Sequence, residues 1–438
     1  MIKAAIICGL ISLVTGAQST CTENEFKELG ASLSQSVEYM RDKVGDENVA
    51  IFIGAKGAGK STLINYLIGN QLKTERRSLF DPVTLARVYS ESKGPRVAGE
   101  STKAAVPTRW TSSKLPNLTL WDYPGFGDDN AVLQEVTSVF DFHQLAKYVK
   151  SLKVILVIDF NDLLQANIEP LVKLLTINVE KYFGNHVEEF LSGLSVIFTK
   201  VPAEVRKSSF DMNYLNTMLT NKFLLNKHEE VPQIVKKFVQ YLVDNNQQIG
   251  LFKKIVHGLI TSDADFNIIP AIENSKSIES SALKKLRHSI SEASKLCLQK
   301  FKLSEAIADS KLFLTGIFGT KIFEIETALK QKYNKDNELK TLKTKLVDMG
   351  IIVSNAKNGE NDLYKKIEIY KVIDDSIKYE VENFRLIEVS KLIEFVNNVL
   401  NKAMNKPLES TMKEVLIASD ASIQKAIADI NQKLEIKV

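Results

Sequence analysis

The residues with the most specific chemistry lie in one short stretch. Gly54-Ala55-Lys56-Gly57-Ala58-Gly59-Lys60-Ser61 matches the pattern G-x-x-x-x-G-K-[ST]. Its glycines let the backbone approach and wrap a polyphosphate. Backbone N–H groups and the start of the following helix then face the anion. Lys60 supplies a point charge to the β- and γ-phosphates, and the Ser61 hydroxyl ligates Mg²⁺, which keeps several of its waters. The expected nucleotide contacts run from Gly54 through Ser61 to Thr62, with Lys60 also catalytic. The elements that must position them are legible on both sides. Asn48 to Ile53 (NVAIFI) is a short apolar, β-branched run of the kind found in buried parallel strands. Thr62 to Ile68 has helical apolar spacing and stops at Gly69-Asn70.

Further along, the strand-like run Leu118-Thr119-Leu120-Trp121 leads into Asp122-Tyr123-Pro124-Gly125-Phe126-Gly127. An acid at the end of such a strand holds Mg²⁺ through water. The D-x-P-G continuation resembles the D-x-x-G switch of GTPases, in which the glycine amide, here that of Gly125, senses the γ-phosphate. A rival acid is Asp159, which ends Val154–Ile158, but it lacks the glycine switch, and Asp122 is preferred. A switch threonine is also needed, with catalytic and metal-binding roles. Thr102 and Thr108 compete for it. Thr102 is chosen because such loops order around γ-phosphate and metal, whereas Thr108 could simply sit in a strand. Leu194 to Lys200 is a buried strand ending in Thr199-Lys200, the start of an [NT]-K-x-D base-reading motif. Pro202 stands where the aspartate should be and has no side chain to accept the base's hydrogen bonds. Lys200 can still stack along the base. Asp244, Asn245 and Asn246 could bond a base edge, but a solvated turn is the preferred reading there.

Gly54–Ser61, Ser101-Thr102, Asp122–Gly125 and Thr199-Lys200 together resemble the GTPases of the translation-factor-related class. Within it the likeness is to septin-like and immunity-associated nucleotide-binding GTPases, with dynamin-like proteins more distant. The resemblance covers about residues 46–270, roughly half the chain. It implies an α/β fold, a P-loop NTPase G domain with a mainly parallel sheet, binding GTP or GDP with Mg²⁺ through Ser61, Thr102 and Asp122. It also implies a switch that assembles as a homodimer or oligomer through the G domain.

Composition sets the surroundings. The chain has 438 residues, 44% hydrophobic and 25% charged, with 57 basic against 53 acidic side chains. A balance that near neutrality argues against nucleic acid as a partner. Three cysteines exclude a disulfide scaffold. Only Pro407 follows Pro270, and only Gly316, Gly319, Gly350 and Gly359 occupy the same stretch. Loss of both helix breakers predicts an all-α domain over 271–438. Its apolar stripes are Leu363, Ile367, Tyr370, Ile373, Ile377, Val381, Phe384 and Ile387, then Met412, Val415, Leu416, Ile423, Ile427, Ile430 and Leu434. They read as a bundle core more than a membrane face. The five histidines are scattered, without metal-ligand spacing.

Residues 1–17 (MIKAAIICGLISLVTGA) read as a signal peptide, with Lys3 before an 11-residue apolar run and a small-residue cleavage site. Residues 18–45 are a helical lead-in. The signal predicts the secretory pathway or the exterior; without it the location is cytoplasmic or membrane-associated. The expected function is a GTP-controlled switch or assembly protein acting by self-association or membrane recruitment. Hydrolysis is expected to be slow, because the position after the switch glycine is Phe126, which cannot orient water as a Ras-type glutamine does. The alternatives are an adenine- or mixed-specificity NTPase and a structural protein that only retains nucleotide.

Overall fold

The structure is a computed structural model that describes residues 28–300 with short interruptions, residues 336–358 and scattered positions from 395 to 434. The interruptions include 97–105 and 126–130. The stripe from Leu363 to Ile387 and the segment 1–17 lie outside the described residues. The chain divides into two compact units, one spanning Lys27–Ser291 and the other including Glu292–Val438.

The first unit is built on a seven-stranded sheet. Its strands are β1 (Asn48–Ile53), β4 (Thr108–Thr111), β5 (Thr119–Asp122), β6 (Ser151–Asp159), β7 (Leu194–Val201), β10 (Ile249–Lys253) and β11 (Ile278–Glu279). Strands β2 (Leu72–Glu75) and β3 (Thr84–Arg87) pair with each other, as do β8 (Glu204–Val205) and β9 (Ser208–Ser209). The sheet order is β10-β7-β6-β1-β5-β4, with β11 on β6. The central pairings are parallel; β4 on β5 and β11 on β6 are antiparallel. β1 is buried at every position from Val49 to Ile53 and β6 from Ser151 to Ile158. Strands covered on both faces read as continuous apolar runs, which is why these were legible without alternation.

Helix α1 (Lys60–Leu67) follows β1 directly, and α2 (Ala131–Tyr148) precedes β6. A short α3 (Phe160–Leu164) follows β6, α4 (Gln233–Asp244) precedes β10, and α5 (Asp265–Asn274) follows it. One core joins Leu63, Ile64 and Leu67 of α1 to Ile268, Ala271 and Ile272 of α5 across Ala50, Phe52 and Val157. Two buried polar side chains tie α5 to the sheet. Ser195 Oγ donates to the Ala271 carbonyl at 2.8 Å. Lys153 Nζ, inside β6, donates to the carbonyls of Ile272 (2.9 Å), Glu273 (2.9 Å) and Ser275 (2.5 Å). It satisfies the orphan carbonyls at the helix C-terminus. Burial holds its ammonium below the usual lysine range, partly offset by Glu273.

The unit therefore continues beyond residue 270, because α5 and β11 are built into the sheet and its core. The described positions between 28 and 43 are helical. Leu29, Leu33 and Met40 are buried there, Tyr39 meets Trp121 edge-on with centroids 6.4 Å apart, and Ser36 Oγ donates to Asp141 on α2. Around α2, Tyr123, Phe142, Tyr182 and His288 form an aromatic cluster. His143 Nδ1 and His288 Nε2 stand 3.1 Å apart within it.

In the second unit, α6 (Glu292–Lys300) carries a buried, disulfide-bonded Cys297, and α7 (Asp336–Asn358) is the longest described helix. Gly350 of α7 packs near Ile423. Of the second stripe, Ile423 and Ile430 are buried and Ile427 and Leu434 half-buried, while Met412, Val415 and Leu416 lie outside the described residues. Among the described residues no helix is long and apolar enough to cross a membrane.

Candidate functional site

The phosphate loop sits between β1 and α1, at the C-terminal ends of the parallel strands. Its shape is enforced by contact as well as by dihedral angles. Gly54 has φ 156°, and a Cβ there would lie 2.2 Å from the Val157 carbonyl oxygen of β6. Only glycine fits. Gly59 caps α1 in the left-handed region at φ 95°. Thr199, buried at the end of β7, braces the loop from behind: its Oγ1 donates to the Ala58 carbonyl at 2.5 Å. Thr62 takes its place in the first turn of α1.

Lys60 is almost wholly buried, and its Nζ donates to the carbonyls of Gly54 and Ala55, both at 3.0 Å. Desolvation holds its pKa down to about 8, against the opposing pull of Asp122. The ammonium lies in the loop's own hollow, where a polyphosphate would take over from the two carbonyls. Asp122 ends β5 beside β1. Ser61 Oγ donates to its Oδ2 at 2.7 Å, while Oδ1 is buried without a hydrogen-bond partner. Burial pushes the Asp122 carboxyl up; the Ser61 bond and Lys60 pull it back. A serine hydroxyl and a carboxylate with one orphaned oxygen, beside a phosphate cradle, fit a hydrated Mg²⁺. Among the described residues no cluster of three or more His, Cys, Asp or Glu offers a rival metal site.

Gly125 reaches the loop from the switch side. A Cβ on it would lie 2.7 Å from the Lys56 Cα, 2.9 Å from the Lys56 nitrogen and 2.9 Å from Lys60 Nζ. Gly125 is thus seated on the Gly54–Ser61 loop and against Lys60. Gln134, in the first turns of α2, donates from Nε2 to the Gly125 carbonyl at 3.2 Å. Sequence reasoning missed Gln134; its only signal was a polar residue opening a largely buried helix.

Asp159 has a different place from Asp122. Its Oδ1 caps α3 by accepting from the Asn161 N–H, and its Oδ2 pairs with Lys200 Nζ at 2.5 Å. Lys200, at φ 57°, also donates to the Gly57 carbonyl at 2.9 Å. Lys200 therefore links the base-side turn to the phosphate loop. Asp244 to Asn246 precede β10, at the opposite end of the parallel strands from the loop, where Asn245 closes α4 by donating to the Tyr241 carbonyl at 2.8 Å. They do not face the nucleotide site. Thr108 is a strand residue of β4, accepting from Trp110 Nε1 at 2.9 Å. Ser101, Thr102 and Phe126 lie outside the described residues.

The sheet order, the loop and the helix that follows it give the fold of a P-loop G domain. Residues 49–183 match the family model described as 50S ribosome-binding GTPase. Among solved structures, the chain is similar to Toc33 from Arabidopsis thaliana in complex with Mg²⁺ and GMPPNP, at 13% identity and TM-score 0.31, over 63% of this chain and 96% of that one. It is also similar to a GDP-bound mutant of S. thermophilus NFeoB, at 9% identity and TM-score 0.24, over 87% and 99%. A third similarity is to an oligomerised bacterial dynamin pair, at 16% identity and TM-score 0.24, over 91% and 79%. Likenesses at these scores bear on neither ligand nor partners. No curated protein matches the chain.

Proposed function

We propose that this protein is a guanine-nucleotide switch that binds GTP and GDP with Mg²⁺ and hydrolyses GTP slowly. One observation carries the reading: Gly125 packs against Lys56 and Lys60 while Ser61 bonds Asp122, so that phosphate cradle, metal acid and switch glycine meet at one point. When bound, Mg²⁺ would be held by Ser61 and, through water, by Asp122, and would neutralise phosphate charge. Lys60 orients the β- and γ-phosphates. The Gly125 amide, fixed through its own carbonyl by Gln134, reads the γ-phosphate. Thr102 is assigned to the metal in the GTP-bound state. The nucleotide state is read out through self-association of the nucleotide unit or recruitment to a membrane surface, with the helical remainder as the transmitting part.

Pro202 favours a second reading, an NTPase of adenine or mixed specificity. Saturable binding of fluorescent GDP in Mg²⁺, abolished in Lys60→Ala, is the expected result; unchanged binding in Lys60→Ala would refute the assignment of this site. Turnover lost in Asp122→Asn but kept in Asp159→Asn is the companion result, and the reverse pattern favours the second reading.

Export is proposed from residues 1–17 and from the disulfide-bonded state of Cys297, since disulfides persist in oxidising compartments. Sequencing the mature N-terminus tests it: an intact Met1 contradicts export.

A further inference from the structure

The motif requires a cation at position 60, and the structure gives that cation its place. It does not require one at position 56. Lys60 points into the loop onto the Gly54 and Ala55 carbonyls, and Lys200 reaches the Gly57 carbonyl from the base side. Lys56 has an exposed side chain and a backbone packed directly against Gly125. That contact sets the Lys56 backbone beside the glycine to which the reading above gives the γ-phosphate. The Gly125 amide marks the γ-phosphate end of the site, so a residue whose Cα a Gly125 Cβ would approach to 2.7 Å stands next to that phosphoryl group. The neighbouring position that orients water in a Ras-type protein is Phe126.

We propose that Lys56 is a catalytic residue of GTP hydrolysis in this chain: it supplies, from within the phosphate loop, the cation that stabilises the γ-phosphoryl group in the transition state. The inference rests on the guanine-nucleotide reading above. In the step itself, a water oxygen forms a bond to the γ-phosphorus. The bond from that phosphorus to the bridging oxygen breaks, and its electron pair stays on GDP. The water's proton passes to the inorganic phosphate. Lys56 keeps its own proton throughout and contributes charge and hydrogen bonds that strengthen as the phosphoryl group moves. A flexible ammonium with three donors can follow that movement, which a rigid backbone N–H cannot.

The competing role is a surface charge that attracts nucleotide equally in all states. Uniform binding changes KM and leaves kcat alone, so the two roles separate kinetically. The test uses the full chain as wild type, Lys56→Ala and Lys56→Arg. Fluorescent GDP affinity, steady-state GTP turnover in Mg²⁺, and capture of GDP with aluminium fluoride are measured on each. Lys56→Ala is expected to lower kcat by about 10- to 100-fold. It should lose aluminium fluoride capture while GDP affinity changes by less than about threefold, and Lys56→Arg should recover most of the rate. The proposal is overturned if Lys56→Ala turns over within about threefold of wild type, or if its GDP affinity falls as far as its kcat/KM. It is overturned equally if the wild type binds GTP but neither turns it over nor captures aluminium fluoride. A wild type that binds no guanine nucleotide defeats the functional reading itself, which the GDP measurement shows separately.

Discussion

Replacing Asp141 by Asn should stabilise the nucleotide unit at alkaline pH and do little in acid. Asp141 sits on α2, wholly buried. One carboxylate oxygen accepts from Ser36 and the other has no hydrogen-bond partner. Desolvation raises its pKa from 3.8 to about 7, which the Ser36 bond only partly opposes. The sign follows by linkage. A carboxyl raised on folding favours the native state in its neutral form, fully below about pH 4, and that support is lost as pH rises through about 7. At 1.36 kcal/mol for each tenfold change in proton affinity, burying Asp141 costs about 4 kcal/mol at pH 8, where it is ionised, and about 2 kcal/mol at pH 5, where folding must protonate it. Asn keeps an acceptor for Ser36 and carries no charge. The stability gap between Asp141→Asn and wild type should therefore widen by about 2 kcal/mol from pH 5 to pH 8. Urea unfolding followed by tryptophan fluorescence measures it, since Trp110 and Trp121 both lie in this unit. A gap independent of pH, or a variant less stable than wild type at pH 8, would refute the reasoning.

Lys60, with its pKa near 8 in the nucleotide-free site, must be protonated to hold phosphate; fluorescent GDP affinity should fall above pH 8, approaching tenfold per pH unit, and a flat profile to pH 9.5 would contradict this. Gly54→Ala would force a Cβ into the Val157 carbonyl and should cost more than about 3 kcal/mol in the same urea assay. Gln134→Ala removes one neutral hydrogen bond to Gly125, worth about 1 kcal/mol, and should lower the preference for a non-hydrolysable GTP analogue over GDP about fivefold while leaving GDP binding alone.

The phosphate site was legible because its determinants are local. β1, Gly54–Ser61 and α1 run consecutively, and fixed spacing among glycines, lysine and serine leaves little freedom in how they fold. Asp122 comes to lie beside Ser61 because it ends a strand that pairs directly with β1. Contacts across long sequence separations escaped. Lys153 reads as an interruption in an apolar run, yet its carbonyl partners 119 and 120 residues later make it the clasp of α5. Nothing near Asp141 in the sequence announces a buried carboxyl, because its partner Ser36 is 105 residues away. Thr199 looked like part of a base motif, and the fold turns its hydroxyl back onto the phosphate loop instead. The nucleotide unit runs past the boundary that Pro270 suggests, because α5 carries this proline in its interior and packs on the sheet.

The central claim is that this is a guanine-nucleotide site despite Pro202. Competition against bound fluorescent GDP in Mg²⁺ by unlabelled GTP, GDP, ATP and ADP tests it most directly. Both guanine nucleotides should displace the probe at concentrations at least about 100-fold lower than either adenine nucleotide, a discrimination of roughly 2.7 kcal/mol. Equal displacement by ADP and GDP would contradict it.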